Sequence, residues 1–212
     1  MASCAIEETE ARPIHDDFMD DDMRRLWRSM GPLPGALRLY GGTALALYLH
    51  HRESVDFDFF TPAPDVRRAS ISALPWLADA RLRGGDGVIE ATCPGADRDI
   101  LVTFLEVTGL VPPALDPSRP APNGVPVASP RDLVRAKLEA ICNRGAAKDY
   151  ADIAAAFEAW PEMSAAAFYT IDGRSAQEIA IALANPPADE HSSIDAATMA
   201  AIRRHAVTRD RK

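Results

Sequence analysis

The residues best placed to do chemistry are two carboxylates, Asp56 and Asp58, in the run Val-Asp-Phe-Asp-Phe-Phe at 55–60, and a Gly41-Gly42-Thr43 triplet upstream. Side chains at i and i+2 of a strand project to one face, roughly 6.5–7 Å apart. Asp56 and Asp58 are therefore expected on one face, with Val55, Phe57 and Phe59 packed on the other. Two neighbouring carboxylates repel unless a cation lies between them or one is protonated. Hard oxygen ligands at this spacing suit magnesium or manganese, and magnesium keeps several waters and takes further oxygens from nucleotide phosphates. The glycines have no Cβ, so the backbone can turn sharply and let a ligand come close. The helix expected after them offers unpaired N–H groups and its positive dipole end, an anion site. Either feature alone is weak. Joined by one buried helix, with thirteen residues between Gly42 and Asp56, they suggest a triphosphate cradle facing a metal-binding pair. The matching chemistry is in-line attack on a nucleotide α-phosphate.

The elements that must position these groups are legible in outline. Residues 16–30 read as a helix with aspartates in its first turns, stopped by Gly31-Pro32. Residues 36–40 form a short strand candidate, 43–51 a helix apolar nearly all round and hence buried, and 55–60 a strand. A helix is expected over 65–79, two strands over 80–83 and 87–93 around Gly84-Gly85-Asp86-Gly87, and a further strand over 99–107. The stretch 109–130 is rich in proline, which cannot continue a helix or a central strand. Beyond it the pattern turns helical over 130–143, 148–159, 164–170, 175–184 and 194–206. The expected organisation is α+β: a mixed sheet with flanking helices over 1–110, a helical part over 128–187, and a tail over 188–212 holding at most one helix.

Composition sets broad limits. The chain of 212 residues, 47% hydrophobic and 25% charged, is ordinary for a soluble globular protein. No apolar run reaches the roughly 20 residues that span a bilayer, and residues 1–10 lack a basic n-region, so a cytoplasmic location without membrane partners is expected. Cys4, Cys93 and Cys142 have no paired metal-ligand spacing; Cys93 and Cys142 read as small buried hydrophobes. A net charge of −8 argues against a broad basic surface for duplex binding. Local cationic clusters remain at Arg131, Arg135, Lys137, Arg144 and Lys148 and at 203–212, able to hold phosphates.

The motifs Gly41-Gly42-Thr43-Ala44-Leu45, His51-Arg52-x-Ser54 and Asp56-Phe57-Asp58-Phe59-Phe60 resemble the AbiEii/AbiGii abortive-infection toxin family of nucleotidyltransferases. A second match follows in Pro130-Arg131-Asp132-Leu133, Lys137-Leu138-Glu139-Ala140-Ile141, Arg144-Gly145 and Lys148-Asp149-Tyr150-x-Asp152. The resemblance spans about residues 35–160. It implies a nucleotidyltransferase-like fold with a helical C-terminal part, NTP as substrate, tRNA or another RNA acceptor for some members, and a cognate antitoxin protein. It also implies that Gly41, Gly42 and Thr43 hold triphosphate, Asp56 and Asp58 bind metal, Lys137 contacts phosphate, and Asp149 or Asp152 acts as base or orients the acceptor. Arg52 and Ser54 either touch phosphate or cap the turn before the strand. Lys137 either contacts phosphate or snorkels from an apolar helix face. Lys148 either binds nucleotide or pairs with Asp152 at i+4.

One position departs from the nucleotidyltransferase pattern. By register, the place of a third carboxylate on the neighbouring strand falls on Thr103. Two carboxylates then suffice, or Asp149 completes the site, or activity is lost. Three functions follow: metal-dependent transfer of a nucleoside monophosphate from an NTP to RNA or protein, nucleotide or partner binding without turnover, and transfer to a small hydroxylated molecule.

Overall fold

A computed structural model describes residues 14–62, 64, 66–107, 118–163, 175–187 and 194–206. The chain divides into two units, residues 10–129 and residues 130–212 with 1–9.

The first unit is built on a seven-stranded mixed sheet. Its elements are α1 (Asp21–Ser29), β1 (Arg38–Tyr40), α2 (Gly41–Leu49), β2 (Asp56–Thr61), α3 (Arg68–Ser72), β3 (Arg81–Gly85), β4 (Val88–Cys93), β5 (Ile100–Glu106), β6 (Arg119–Pro120) and β7 (Pro126–Val127). The strand order is β3-β4-β5-β2-β1-β7-β6. β2 runs parallel to β5 and antiparallel to β1, so the strand carrying Asp56 and Asp58 is central. Its alternation places Phe57 and Phe59 at zero exposure while Asp56 and Asp58 are half-buried.

The covered face of the sheet is an aromatic stack. Phe59 stacks on Phe104 of β5 at 5.4 Å, and Trp27 of α1 lies flat on Phe57 at 5.8 Å. Burying each such side chain contributes about 1.5–3 kcal/mol, which fixes the pleat and hence the opposite direction of the carboxylates. α1 is further tied down by Asp22, whose carboxylate accepts backbone N–H groups of Ala96, Asp97 and Arg98 at 2.8, 2.7 and 3.2 Å. Those hydrogen bonds hold the Asp22 carboxyl well below the usual carboxylate range.

Several local expectations needed correction. The first helix begins at Asp21 rather than residue 16, because Asp20 caps it by accepting the Met23 N–H at 2.8 Å. The helix expected over 65–79 is only Arg68–Ser72, followed by a 3-10 turn at Pro75–Leu77. Val55 is not packed opposite the carboxylates; it precedes the strand and is 57% exposed. The proline-rich stretch is not free of strands, since β7 pairs with β1 and β6 with β7. The candidate helix 164–170 lies outside the described residues.

The second unit contains α4 (Pro130–Asn143), α5 (Ala147–Ala159), α6 (Ala176–Ala184) and α7 (Ala196–Ala206). Leu133, Leu138, Ile153, Phe157, Ile179, Leu183 and Ile202 form its core. α4 and α5 are joined by a tight turn in which Gly145 adopts φ +62, the left-handed conformation that favours glycine after a helix. Between them lies a buried ion-pair network. Lys137 Nζ sits 3.0 Å from Asp149 and 2.7 Å from Asp152, and Arg144 grips Asp149 with two donors at 2.8 and 2.9 Å. Lys137 therefore does not snorkel to solvent, and Asp152 pairs with Lys137 rather than with the exposed Lys148.

Burial alone raises the Asp149 carboxyl, but Arg144 and Lys137 more than offset it and hold it below its ordinary value of 3.8. Its pairing thus adds stability above that value, and the contribution is lost as pH falls through the depressed one. Lys137→Met removes the cation shared by two buried carboxylates, of which Asp149 keeps Arg144, and is expected to cost about 3–5 kcal/mol. Chemical denaturation at neutral pH checks this, and the deficit should shrink in acid as the two carboxylates protonate.

Candidate nucleotide and metal site

α2 starts directly at the end of β1, and Gly41 makes the junction possible. Its φ is +73, and a Cβ there would lie 2.6 Å from Asp58 Oδ2. The carboxylate of Asp58 therefore rests in the space that a side chain at residue 41 would fill. The same holds next door: a Cβ on Gly42 would lie 2.2 Å from Arg52 Nη2. The start of α2 thus has an acid on one glycine and a guanidinium on the next. The N-cap residue Tyr40 makes no side-chain capping bond, and the helix dipole adds partial positive charge there.

Asp58 is set opposite Tyr40 on β1 and opposite Thr103 on β5. Thr103 does stand on the strand beside Asp58. Its other neighbour is Glu90 of β4. Asp58, Thr103 and Glu90 form one cross-strand row, and directly opposed residues project from the same face. The burial pattern agrees: Glu90 is exposed and Thr103 half-buried, whereas Ile89, Ala91, Val102 and Phe104 are buried. Sequence reasoning missed Glu90 because the antiparallel β4–β5 register, unlike the spacing within a strand, is not written locally.

Thr43 and Ser54 have their hydroxyls turned inward. Thr43 Oγ1 donates to the backbone oxygen of Asp56 and lies 2.8 Å from Ser54 Oγ, which is 3.5 Å from Asp56 Oδ1. Both are nearly fully buried. These hydroxyls fasten α2 to the start of β2 and orient Asp56. Arg52 Nη1 donates to the Glu53 carbonyl at 2.8 Å, which steadies the guanidinium over Gly42.

Gly41, Gly42, Thr43, Arg52, Ser54, Asp56 and Asp58 thus come together within the first unit. Lys137, Asp149 and Asp152 come together in the second, as the buried network described above, with Lys148 exposed on α5. Paired oxygen donors on one strand face suit a hard divalent cation, which Asp56 and Asp58 would hold.

A mixed sheet carrying a glycine turn, a buried helix and an Asp-x-Asp strand defines a nucleotidyltransferase-like protein. The model of the family described as "Nucleotidyl transferase AbiEii toxin, Type IV TA system" matches residues 24–210, and the chain belongs to that family. A crystal structure described as a "putative nucleotidyltransferase from H. pylori" is similar at 16% identity and a TM-score of 0.46, covering 87% of this chain and 89% of the other. No curated protein matches the chain. No helix among the described residues is long and apolar enough to cross a membrane.

The two glycines should respond differently to alanine. Gly41→Ala forces a side chain into left-handed backbone, about 1–2 kcal/mol, and pushes Asp58 aside. It is expected to lower stability and weaken Mn2+ binding. Gly42→Ala meets only the far end of Arg52, so the melting temperature should hold while Arg52 is displaced. Denaturation and metal calorimetry on both variants check this contrast.

Proposed function

We propose that the protein transfers a nucleoside monophosphate from an NTP to an RNA acceptor, acting as the toxin of a toxin–antitoxin pair. The observation carrying this reading is the contact of the Asp58 carboxylate with the glycine turn at the start of α2, with Asp56 on the same strand face. Backbone N–H groups of Gly42 and Thr43, with Arg52, bind the triphosphate at the helix terminus. Asp56 and Asp58 hold the cation, and Ser54 keeps Asp56 aimed. A magnesium or manganese ion held there would supply positive charge to offset that on the phosphates; in the reaction the acceptor oxygen bonds to the α-phosphorus and pyrophosphate leaves.

Thr103 favours a second reading, nucleotide binding without turnover. Glu90 answers it. Two strand spacings, about 9.5 Å, separate the Cα atoms of Asp58 and Glu90, with the short Thr103 between them in the same row. In this reading Glu90 takes the proton from the acceptor hydroxyl. Lys137 and Asp149 hold α4 to α5, and a phosphate that reaches Lys137 has to displace a carboxylate. Lys148, exposed, is free to add cationic charge for phosphate.

Incubation with each α-labelled NTP, magnesium and total tRNA tests the proposal. The wild type is expected to label RNA. Asp58→Asn should abolish transfer with little change in melting temperature, and Glu90→Gln should slow it about 100-fold without weakening NTP binding. Label on protein or on a small hydroxylated molecule would replace the acceptor. NTP binding without any transfer would replace the reaction by the binding reading.

A further inference from the structure

A second cluster of metal-ligating side chains lies at the opposite end of α2, about 13 Å from the glycine turn by helix rise. His15, Asp17 and His50 each place one ligand atom so that all three lie within 4.8 Å of one another. The backbone holds them there. His50 caps α2, with its N–H on the Ala46 carbonyl at 2.9 Å and φ 52, ψ 30. Among the described residues it is the one non-glycine position with positive φ, a conformation that L side chains disfavour. The His15 N–H donates to the Leu47 carbonyl at 3.2 Å, pinning the incoming segment to the last turn of the same helix. The two imidazoles meet edge to face at 4.9 Å, and Phe18 supports the His50 ring at 6.1 Å.

His50 Nδ1 lies 3.0 Å from Asp17 Oδ1. Two ligand atoms bound at about 2.0–2.2 Å to one tetrahedral zinc ion stand roughly 3.3–3.6 Å apart, so this pair, at hydrogen-bond distance, has to open by only a few tenths of an ångström to take an ion. The neighbouring charges are otherwise occupied. Arg28 pairs with Asp16 at 3.0 Å, and Arg24 donates to the backbone oxygen of Asp17 rather than to its carboxylate. His15 and Asp17 also line a cleft of about 420 Å³ that runs between Trp27, Arg28 and Asn123, leaving room for water on the ion.

We propose that His15, Asp17 and His50 form a transition-metal site of the zinc class, separate from the Asp56–Asp58 pair. Two imidazoles and one carboxylate suit zinc, nickel or copper, whereas magnesium prefers an all-oxygen shell. A bound ion clamps residues 15–17 onto the C-terminal end of the helix whose other end carries Gly41 and Gly42.

Zinc calorimetry on the full chain in excess magnesium tests this, with thermal melting alongside. One equivalent of Zn2+ is expected to bind and to raise the melting temperature. His15→Ala and His50→Gly should each weaken binding roughly tenfold or more. Glycine accepts the left-handed backbone, so His50→Gly keeps the fold while removing the ligand. Asp58→Asn should leave zinc affinity unchanged. Absence of zinc uptake, uptake unaffected by both histidine variants, or uptake lost in Asp58→Asn would overturn the proposal. None of these outcomes bears on nucleotide transfer.

Discussion

The Asp58 carboxylate occupies the space that a Cβ at residue 41 would take, and most of the first unit serves that contact. It requires glycine at the start of α2, a left-handed turn to pass from β1 into the helix, and β1 beside β2 so that residue 58 faces Tyr40. An acid beside a helix N-terminus is electrostatically at home. In the proposed function the same position would let that acid hold a cation beside phosphates at the terminus.

The surroundings remove freedom from this contact. Phe57 and Phe59 anchor the covered side of β2 against Trp27 and Phe104, so the strand cannot slip by one residue without burying its acids. Thr43 and Ser54 join α2 to the strand start through buried hydroxyls. Arg52 folds back over Gly42. In the second unit, a lysine and an arginine are spent on two buried aspartates, so that unit's most conspicuous charges hold α4 against α5.

Features set by short-range spacing were legible in the sequence. The glycine turn and the shared face of Asp56 and Asp58 follow from local turn chemistry and strand parity, whereas the placement of Thr103 beside Asp58 follows from the family resemblance. Features set by long-range pairing were not. Glu90 joins the row only through the β4–β5 register. β6 and β7 are two-residue strands containing Pro120 and Pro126, so neither periodicity nor propensity marks them. Lys137 looked like a snorkelling or phosphate-binding residue because its partners lie 12 and 15 positions downstream, on another helix. The resemblance implies a phosphate contact for Thr43, and Ser54 reads as either a phosphate contact or a cap, because hydroxyls near a glycine turn carry no sign of which way they face.

The central claim is that the glycine turn and the carboxylate pair are one site, so nucleotide and metal should bind as a coupled pair. Mn2+ affinity followed by electron paramagnetic resonance, with and without a non-hydrolysable NTP, measures that coupling directly. The account predicts that the analogue tightens Mn2+ binding in the wild type and has no such effect in Asp58→Asn. Equal Mn2+ affinity with and without nucleotide in the wild type would contradict it.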